Sequence, residues 1–314
     1  MTNNRLQPDV SFVIPVYNDS EQAKKLAVQL TSLENIDRCE IIFVDDGSTD
    51  ALNQQELPKA IKLVSLLNNY GRAIARNKGI YECSGAYIHF LDVDCEPVEN
   101  YVNILLAQIA NSVDVVFGHL EFVCHDAFFQ DFENSNQLTR AKANANWELV
   151  QSSACLVVKK ELVLAIEGFC TKFNRYGFED RDFLIRLKQH FPEASYTYAK
   201  ELTVYHKDDL TLDRYLEKFY ASGRYSAPIL RKAHPAQYEQ TPYSKVDVNT
   251  SYMFSKIPKK LISLAILTIK PVLLFLFFLM PNKSKLKLVL FKILKAAAYL
   301  AGSIKNAQSQ VAPK

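Results

Sequence analysis

The sequence predicts an α/β protein with a mixed, mainly parallel sheet flanked by helices, followed by apolar and amphipathic helices at the C-terminus. Two observations predict this fold class. Over residues 10–94, strand-like runs rich in Val, Ile and Phe alternate with segments of helical periodicity. From residue 256 onward the chain becomes basic and apolar, with 11 lysines and no Asp, Glu or Arg in residues 256–314.

The composition fits a globular body with a sizeable core. The 314 residues are 48% hydrophobic and 23% charged. Six scattered cysteines without a CxxC pair favour reduced thiols over a disulfide framework or a zinc site, and the polar N-terminus predicts no secretory signal. The net charge of +3 hides an asymmetry, because residues 1–255 carry 26 basic and 34 acidic residues. We expect no nucleic-acid partner.

The predicted elements follow one another along the chain. Strands are predicted at residues 10–18, within 39–50, and at 61–67, 86–94, 114–123 and 152–158. Helices are predicted at residues 20–33, 71–83 and 179–191. Ligands of such sheets bind beyond the carboxyl ends of the strands. The pairs Tyr17-Asn18, Asp45-Asp46 and Asp92/Asp94 all fall at these ends.

The carboxylates of Asp92 and Asp94 stand at the end of an apolar run. Residues two apart in an extended strand face the same side, where two like charges repel. A divalent cation such as Mg²⁺ or Mn²⁺ would remove that repulsion. The alternative is a solvated loop in which both acids cap the next helix. The run Asp45-Asp46-Gly47-Ser48 ends a second strand, and its alternative is an ordinary strand-to-helix turn.

Three further groups have a functional and a structural interpretation. Arg72 and Arg76 share one helix face and could reach a phosphate or a base, or could simply be solvated. Glu179 and Asp180 begin a helix, as a general base would at the rim of a site, or only complement the helix dipole. His206 ends a strand-like run near acids and is either a metal ligand or structural.

Five segments occur in the order and at the spacing of one known family. They are "FVIPVYN", "IIFVDDGSTD", "GRAIARNKGI", "IHFLDVDCEP" and "EGFCTKFNRYGFEDRDFLIRL". Over residues 10–230 the chain resembles the inverting, bacterial-type family 2 glycosyltransferases of the GT-A, Rossmann-like fold. The single tryptophan, Trp147, leaves no Q-x-x-R-W motif, so the resemblance is to non-processive members. The segment "EGFCTKF" departs from the family's usual G-G-F-D-E.

The resemblance implies roles for residues in each motif. The catalytic pair would be Asp180 as base and Glu179 beside the acceptor, and the D-x-D metal ligands for Mn²⁺ or Mg²⁺ would be Asp94 and Asp92. His206 joins these metal ligands only through its place at a strand end near acids, and not through a family motif. The nucleotide-sugar site, usually for a UDP-sugar, would be formed by Pro15, Val16, Tyr17, Asp45, Asp46, Arg72, Arg76, Asp92 and Val93. A catalytic domain would cover residues 1–235, with its nucleotide-sugar half at about 1–120 and its acceptor half at about 121–235. A linker would follow at 236–255.

The tail, residues 256–314, predicts attachment to a membrane surface. Residues 261–280 are long enough to span a bilayer, but Lys270-Pro271 interrupts them and lysines flank both ends, which favours a kinked or re-entrant segment. An amphipathic helix lying on an anionic leaflet is predicted next, with its apolar face formed by Leu286, Val289, Leu290, Ile293, Ala297 and Leu300. The alternative is a pair of helices docked on the body or on a second subunit.

The leading hypothesis is a metal-dependent glycosyltransferase at the cytoplasmic face of the plasma membrane. It would move a sugar from a nucleotide sugar to a glycan or lipid-linked acceptor in surface polysaccharide synthesis. Two alternatives stay open: a sugar transferase acting on polyprenyl phosphate, and an inactive nucleotide-sugar-binding scaffold. The sequence leaves self-association open as well.

Overall fold

The computed structural model describes residues 7–142, 146–208 and 210–309. They form two compact units. The first contains residues 7–124, 132–142, 146–174 and 183–208, and the second contains residues 125–131, 175–182 and 210–309. The predicted division into domain, linker and tail stays a prediction.

The first unit is built on one eight-stranded sheet. Its strands are β1 (Val10–Val16), β2 (Cys39–Asp45), β3 (Ile61–Ser65), β4 (Tyr87–Leu91), β5 (Cys95–Pro97), β6 (Val115–Phe122), β7 (Cys155–Lys159) and β8 (Tyr196–His206). Their spatial order is β3-β2-β1-β4-β7-β6-β8-β5. β1 to β4 run parallel, and β7 and β5 are the antiparallel members. The prediction of a mixed, mainly parallel sheet is confirmed.

Thirteen helices accompany the strands in the described part of the chain. They are α1 (Ser20–Thr31), α2 (Arg72–Glu82), α3 (Tyr101–Ala110), α4 (Ala127–Ala141), α5 (Trp147–Val150), α6 (Lys160–Ala165), α7 (Glu179–His190), α8 (Leu212–Ala221), α9 (Ala227–Ala233), α10 (Pro235–Gln240), α11 (Tyr252–Ser255), α12 (Lys259–Leu279) and α13 (Lys285–Ser309). Short 3₁₀ turns lie at Ile36–Arg38 and Gln54–Glu56, and a π-helical turn at Ser222–Ser226 joins α8 to α9.

The core of the first unit lies between the sheet and its helices. β1 and β2 are apolar on both faces, which is expected of parallel strands covered on both sides. Phe90 of β4 packs edge-on against Phe169 and Phe183, whose rings stack at 4.3 Å. This cluster fixes α7 on the sheet.

Several predicted strands end earlier in the structure than in the sequence analysis, and two of these differences affect predicted site residues. β1 ends at Val16, and β4 ends at Leu91 rather than at residue 94. The chain turns after Leu91, because the Cys95 N–H donates to the Asp92 carbonyl at 3.1 Å. Asp92 and Asp94 therefore lie in a turn between β4 and β5, and the strand alternation predicted for them is wrong.

The second unit is helical. α13 packs on α8, on the π-helical turn and on α12. Its buried side chains include Phe291, Leu294, Tyr299 and Ile304. A Cβ at Gly302 would stand 2.2 Å from the Tyr220 carbonyl oxygen, so only glycine permits this approach.

The structure corrects the prediction for α13. Leu290 and Leu300, assigned to a lipid-facing side, are buried in the second unit. Leu286, Val289 and Ile293 keep exposed fractions of 52%, 49% and 45%. Docking within the second unit is thus the correct alternative for the buried side of α13, because α8, the π-helical turn and α12 pack on it.

α12 has a different environment. It is 21 residues long and apolar enough to cross a membrane, and only 11% of its most apolar 18-residue stretch is buried in the protein. The helix continues through Pro271 without a break, so Lys270-Pro271 does not interrupt it as a re-entrant segment would require. The predicted kink stays a prediction. Ile262 and Phe277, near its two ends, are the buried residues. Most of its apolar surface therefore faces away from the protein.

Candidate functional site

The carboxyl edge of the parallel strands is closed by side chain to backbone hydrogen bonds. The Asp45 carboxylate accepts from the N–H groups of Ser48 at 2.9 Å and Leu52 at 3.1 Å. The Asn18 side-chain oxygen accepts from the Thr49 N–H at 2.9 Å. Asp45 is 1% exposed. Asp45 thus stabilises the turn after β2, which is the alternative that the sequence analysis left open.

Asp46 positions the loop that precedes α2. Its two carboxylate oxygens accept from the N–H groups of Tyr70 at 2.9 Å and Gly71 at 2.8 Å. Burial raises the pKa of Asp46, and these two hydrogen bonds partly oppose the rise. Gly71 has a φ of +95°, a conformation that favours glycine. Asp46 therefore fixes where α2 begins and where its first arginine stands.

The arginines of α2 differ sharply in environment. Arg72 is exposed, as the solvated alternative requires, whereas Arg76 is 1% exposed. The Arg76 guanidinium donates to Asp92 Oδ1 at 2.8 Å and lies 5.3 Å from the Phe169 ring centroid. A solvated helix face is therefore wrong for Arg76, because the helix turns that side chain toward the end of β4.

The Asp92 side chain is partly buried and keeps its negative charge. Burial alone would raise its pKa, but the charges of Arg76 and Arg72 outweigh that effect and hold the pKa of Asp92 below its usual range. Asp92 was predicted to share a cation with Asp94. In this structure its carboxylate is bound to Arg76 instead.

Asp94 lies beside a histidine that arrives from a distant strand. β5 pairs antiparallel with β8, and this register sets Cys95 opposite His206. The Lys207 N–H donates to the Asp94 carbonyl at 2.8 Å, and His206 Nε2 lies 3.5 Å from Asp94 Oδ1. Ligand atoms of Asp94, Cys95 and His206 all lie within 4.8 Å of one another. The structure thus brings together two of the three predicted metal ligands.

The donor atoms of this group fit a divalent cation. His206 Nδ1 is buried and has no hydrogen-bond partner among the described residues. The imidazole ring stacks on the Phe122 ring, with their centroids 4.7 Å apart. Burial raises the pKa of the Cys95 thiol well above its usual value, so the sulfur stays protonated and is a poor ligand for a hard cation. The Asp94 carboxylate and the His206 imidazole are the remaining donors.

The other predicted residues of the donor site lie along the same edge. Pro15 is half-buried, Val16 is buried and Tyr17 is 47% exposed at the end of β1. Val93 is half-buried in the turn after β4. The exposed ring of Tyr17 is the kind of flat apolar surface that a nucleoside base stacks on.

The sequence analysis missed Cys95 and the pairing of Arg76 with Asp92. Cys95 follows Asp94 directly in the sequence, so adjacency was the available signal. The decisive contact is the β5–β8 ladder, and β5 has only three residues, too few for a periodic pattern.

Glu179 and Asp180 belong to the second unit and begin α7. Glu179 is 3% exposed, and Asp180 is half-buried. Gly177, with a φ of +103°, turns the chain into the helix, and its Cβ would meet Ser222 Oγ at 2.4 Å. Asp182, in the same first turn, accepts a hydrogen bond from His234 at 3.0 Å when that ring nitrogen is protonated. The roles of Glu179 and Asp180 in catalysis stay predictions.

The chain belongs to Glycosyl transferase family 2, whose sequence model matches residues 11–181. The resemblance seen in the five motifs is therefore confirmed. The matched range contains every predicted site residue except His206.

Curated relatives match about a third of the chain. Glycosyltransferase AglE of Haloferax volcanii is 34% identical over 122 residues, which are 37% of this chain and 40% of the relative. The undecaprenyl-phosphate 4-deoxy-4-formamido-L-arabinose transferase of Salmonella choleraesuis is 34% identical over 115 residues, 34% of this chain and 35% of the relative. The matched segment thus spans well under half of either relative.

A solved structure shares the fold over nearly the whole chain. The mannosyltransferase PcManGT from Pyrobaculum calidifontis, in complex with GDP-Man and Mn²⁺, superposes with a TM-score of 0.60. The match covers 97% of this chain and 88% of that chain at 15% identity. The predicted GT-A fold is confirmed.

Proposed function

We propose that this protein is a membrane-attached glycosyltransferase that moves a sugar from a nucleotide sugar to a lipid-linked acceptor. The observation that carries the proposal is the meeting of Asp94 and His206 beside the Arg76–Asp92 ion pair, at the carboxyl edge of a parallel sheet. Family membership and the names of the relatives support the reaction class.

The donor set supports a divalent cation held by Asp94 and His206. An imidazole nitrogen next to one carboxylate suits Mn²⁺ better than Mg²⁺, which prefers oxygen ligands. A bound cation would neutralise negative charge on the diphosphate of the donor. The solved mannosyltransferase holds GDP-Man and Mn²⁺, whereas the motif resemblance suggested a UDP-sugar, so both nucleotides belong in the test.

The side chains around the cation site would orient the donor. We propose that Tyr17 stacks on the base and that Arg72 approaches the phosphates. Arg76 is already bound to Asp92, so its proposed contribution is to keep that carboxylate charged and fixed. Transfer with inversion also needs a base for the acceptor hydroxyl, and we assign that role to Asp180, with Glu179 beside it.

The attachment to the membrane rests on α12. Its exposed apolar surface would cost free energy in water, and its length matches a bilayer core. We place the enzyme at the cytoplasmic face, because the lysines that flank the helix would be attracted to the anionic lipids of that leaflet.

The test is the binding of UDP and GDP by the full chain with Mn²⁺ and after chelation with EDTA. We expect Asp94→Asn to weaken Mn²⁺-dependent nucleotide binding by at least about tenfold, as loss of a metal ligand does. Glu99→Gln is the matched control, because it removes an exposed carboxylate nearby in sequence. Nucleotide binding that is equal in wild type, Asp94→Asn and EDTA would reject the metal-dependent donor site.

A further inference from the structure

Two arginines of the second unit share one exposed tyrosine. The Cζ atoms of Arg175 and Arg224 lie 5.9 Å and 5.0 Å from the ring centroid of Tyr225, which is 41% exposed. Arg175 is exposed and Arg224 half-buried. The positive charge of two guanidinium groups is thus concentrated around one aromatic ring at the surface.

Neither guanidinium has a carboxylate partner in the part of the chain that the structure describes. Arg224 Nη1 donates to the Tyr220 hydroxyl at 3.1 Å, and its other contacts are with aromatic rings. Other arginines of this protein do have such partners, as Arg231 has Asp247 and Arg38 has Asp9. Two uncompensated guanidinium groups keep donors available for an anion.

The backbone holds the two arginines in fixed positions. Arg224 lies in the π-helical turn, a feature that often marks functional sites. Its carbonyl accepts from Asn306 Nδ2 of α13 at 3.0 Å. The Ser226 hydroxyl donates to the Tyr176 carbonyl at 2.9 Å, which ties the loop carrying Arg175 to the same turn. These contacts fix the backbone from which both arginine side chains extend.

We propose that Arg175 and Arg224 bind the phosphate of the lipid-linked acceptor, an inference that rests on the proposed function. Guanidinium groups match phosphate oxygens in geometry and charge. The diphosphate of the donor is assigned to the Asp94 site, so a second phosphate site fits a second substrate.

The position of the arginines in the fold favours a lipid as the source of that phosphate. The π-helical turn packs on α13, and α13 packs on the apolar helix α12. Arg175 also precedes the predicted base Asp180 by five residues, on the loop that leads into α7. An acceptor sugar carried on a lipid phosphate needs that proximity, because its hydroxyl must reach the base while its phosphate is held.

Vesicle binding by the full chain tests the proposal. The probes are phosphatidylcholine vesicles that contain either undecaprenyl phosphate or the uncharged undecaprenol. Because α12 contributes equally to both, the ratio of the two affinities measures recognition of the phosphate. We expect the wild type to favour the phosphate by about tenfold or more, and Arg175→Gln/Arg224→Gln to abolish the preference.

Lys232→Gln is the matched control, because it removes one exposed positive charge from the same unit. It should keep the preference. A double variant that retains the wild-type preference overturns the proposal. The proposal is also overturned if the wild type binds phosphatidylglycerol vesicles of the same surface charge as tightly as vesicles with undecaprenyl phosphate. That result would mean a general attraction to anionic lipid.

A third arm separates the acceptor phosphate from the donor. The double variant should bind UDP and GDP with Mn²⁺ as the wild type does. Weakened nucleotide binding with an intact lipid preference would place the arginines at the donor and overturn the proposal. None of these measurements needs sugar transfer, so an inactive chain that still prefers the phosphate would support this site and count against the proposed enzyme.

Discussion

The paired aspartates after β4 show how far single residues could be predicted. The sequence indicated correctly that two carboxylates at the end of an apolar strand need compensation. The structure compensates Asp92 with Arg76 at 2.8 Å and sets Asp94 beside His206 at 3.5 Å. Arg76 and His206 are 16 and 112 positions away from their partners, and no local pattern encodes such contacts.

A buried histidine to which the sequence analysis gave no role makes the stability of the fold depend on pH. His89 of β4 is 0% exposed. Its Nδ1 lies 3.0 Å from the Phe90 carbonyl, which can only accept, so Nδ1 carries the proton. Burial lowers the pKa of His89 to about 4, so the ring is neutral at neutral pH. Nε2, 2.6 Å from the Tyr101 hydroxyl, therefore accepts from that hydroxyl.

We predict that this histidine destabilises the protein as the pH falls from about 6.5 to 4. In that range the unfolded chain takes up a proton at His89 and the folded chain does not, so stability is lost with falling pH. The loss is about 3 kcal/mol of unfolding free energy. Urea unfolding at several pH values measures it. His89→Gln, which does not titrate, should have a shallower pH dependence, and an unchanged one would contradict this account.

At the scale of elements, the parallel half of the sheet was the predictable part. Strand–helix alternation predicted β1 to β4, because the hydrophobic pattern of buried strands is local. The antiparallel placement of β7 between β4 and β6 could not be predicted, because the sequence of a strand does not indicate which distant strand it pairs with. The same limit concealed the β5–β8 pairing that brings Asp94 to His206.

The contact of α2 with β1 depends on one glycine. A Cβ at Gly79 would stand 2.2 Å from Val13 Cγ1. Gly→Ala in a helix is usually stabilising by about 1 kcal/mol. Here we predict the opposite sign for Gly79→Ala, a loss of about 1–3 kcal/mol from overpacking.

Thermal unfolding of a double variant tests that explanation. Val13→Ala creates space for the new methyl group, so Gly79→Ala/Val13→Ala should be more stable than the sum of the two single effects. Strict additivity would mean that the two side chains do not clash and that the explanation is wrong.

At the scale of the whole molecule, α12 and α13 need separate treatment. Ending the chain near residue 250 would remove Tyr299 and Ile304 from the core of the second unit, so truncation would unfold that unit as well as remove the membrane contact. The sequence predicted both helices but could not predict which apolar faces would be covered by protein.

We predict that charge on the exposed face of α12 releases the protein from membranes. Leu267 is 71% exposed and Phe278 is 71% exposed, so Leu267→Glu/Phe278→Glu disturbs little packing. Each glutamate at a lipid-facing position costs about 2–3 kcal/mol. The variant should shift from the membrane fraction to the soluble fraction. Leu267→Phe/Phe278→Leu, the apolar control, should stay with the membrane, and co-fractionation of the glutamate variant with the wild type would refute the attachment through α12.

We propose that one chain binds a nucleotide sugar and activates an acceptor through separate carboxylates. The most direct measurement compares Asp180→Asn with the wild type in two assays: Mn²⁺-dependent nucleotide binding, and release of UDP or GDP from a panel of sugar donors with membrane lipid as acceptor. We predict that Asp180→Asn binds nucleotide as the wild type does and releases at least about a hundredfold less product, because a general base contributes that much. Full release by Asp180→Asn would contradict the assignment of the base.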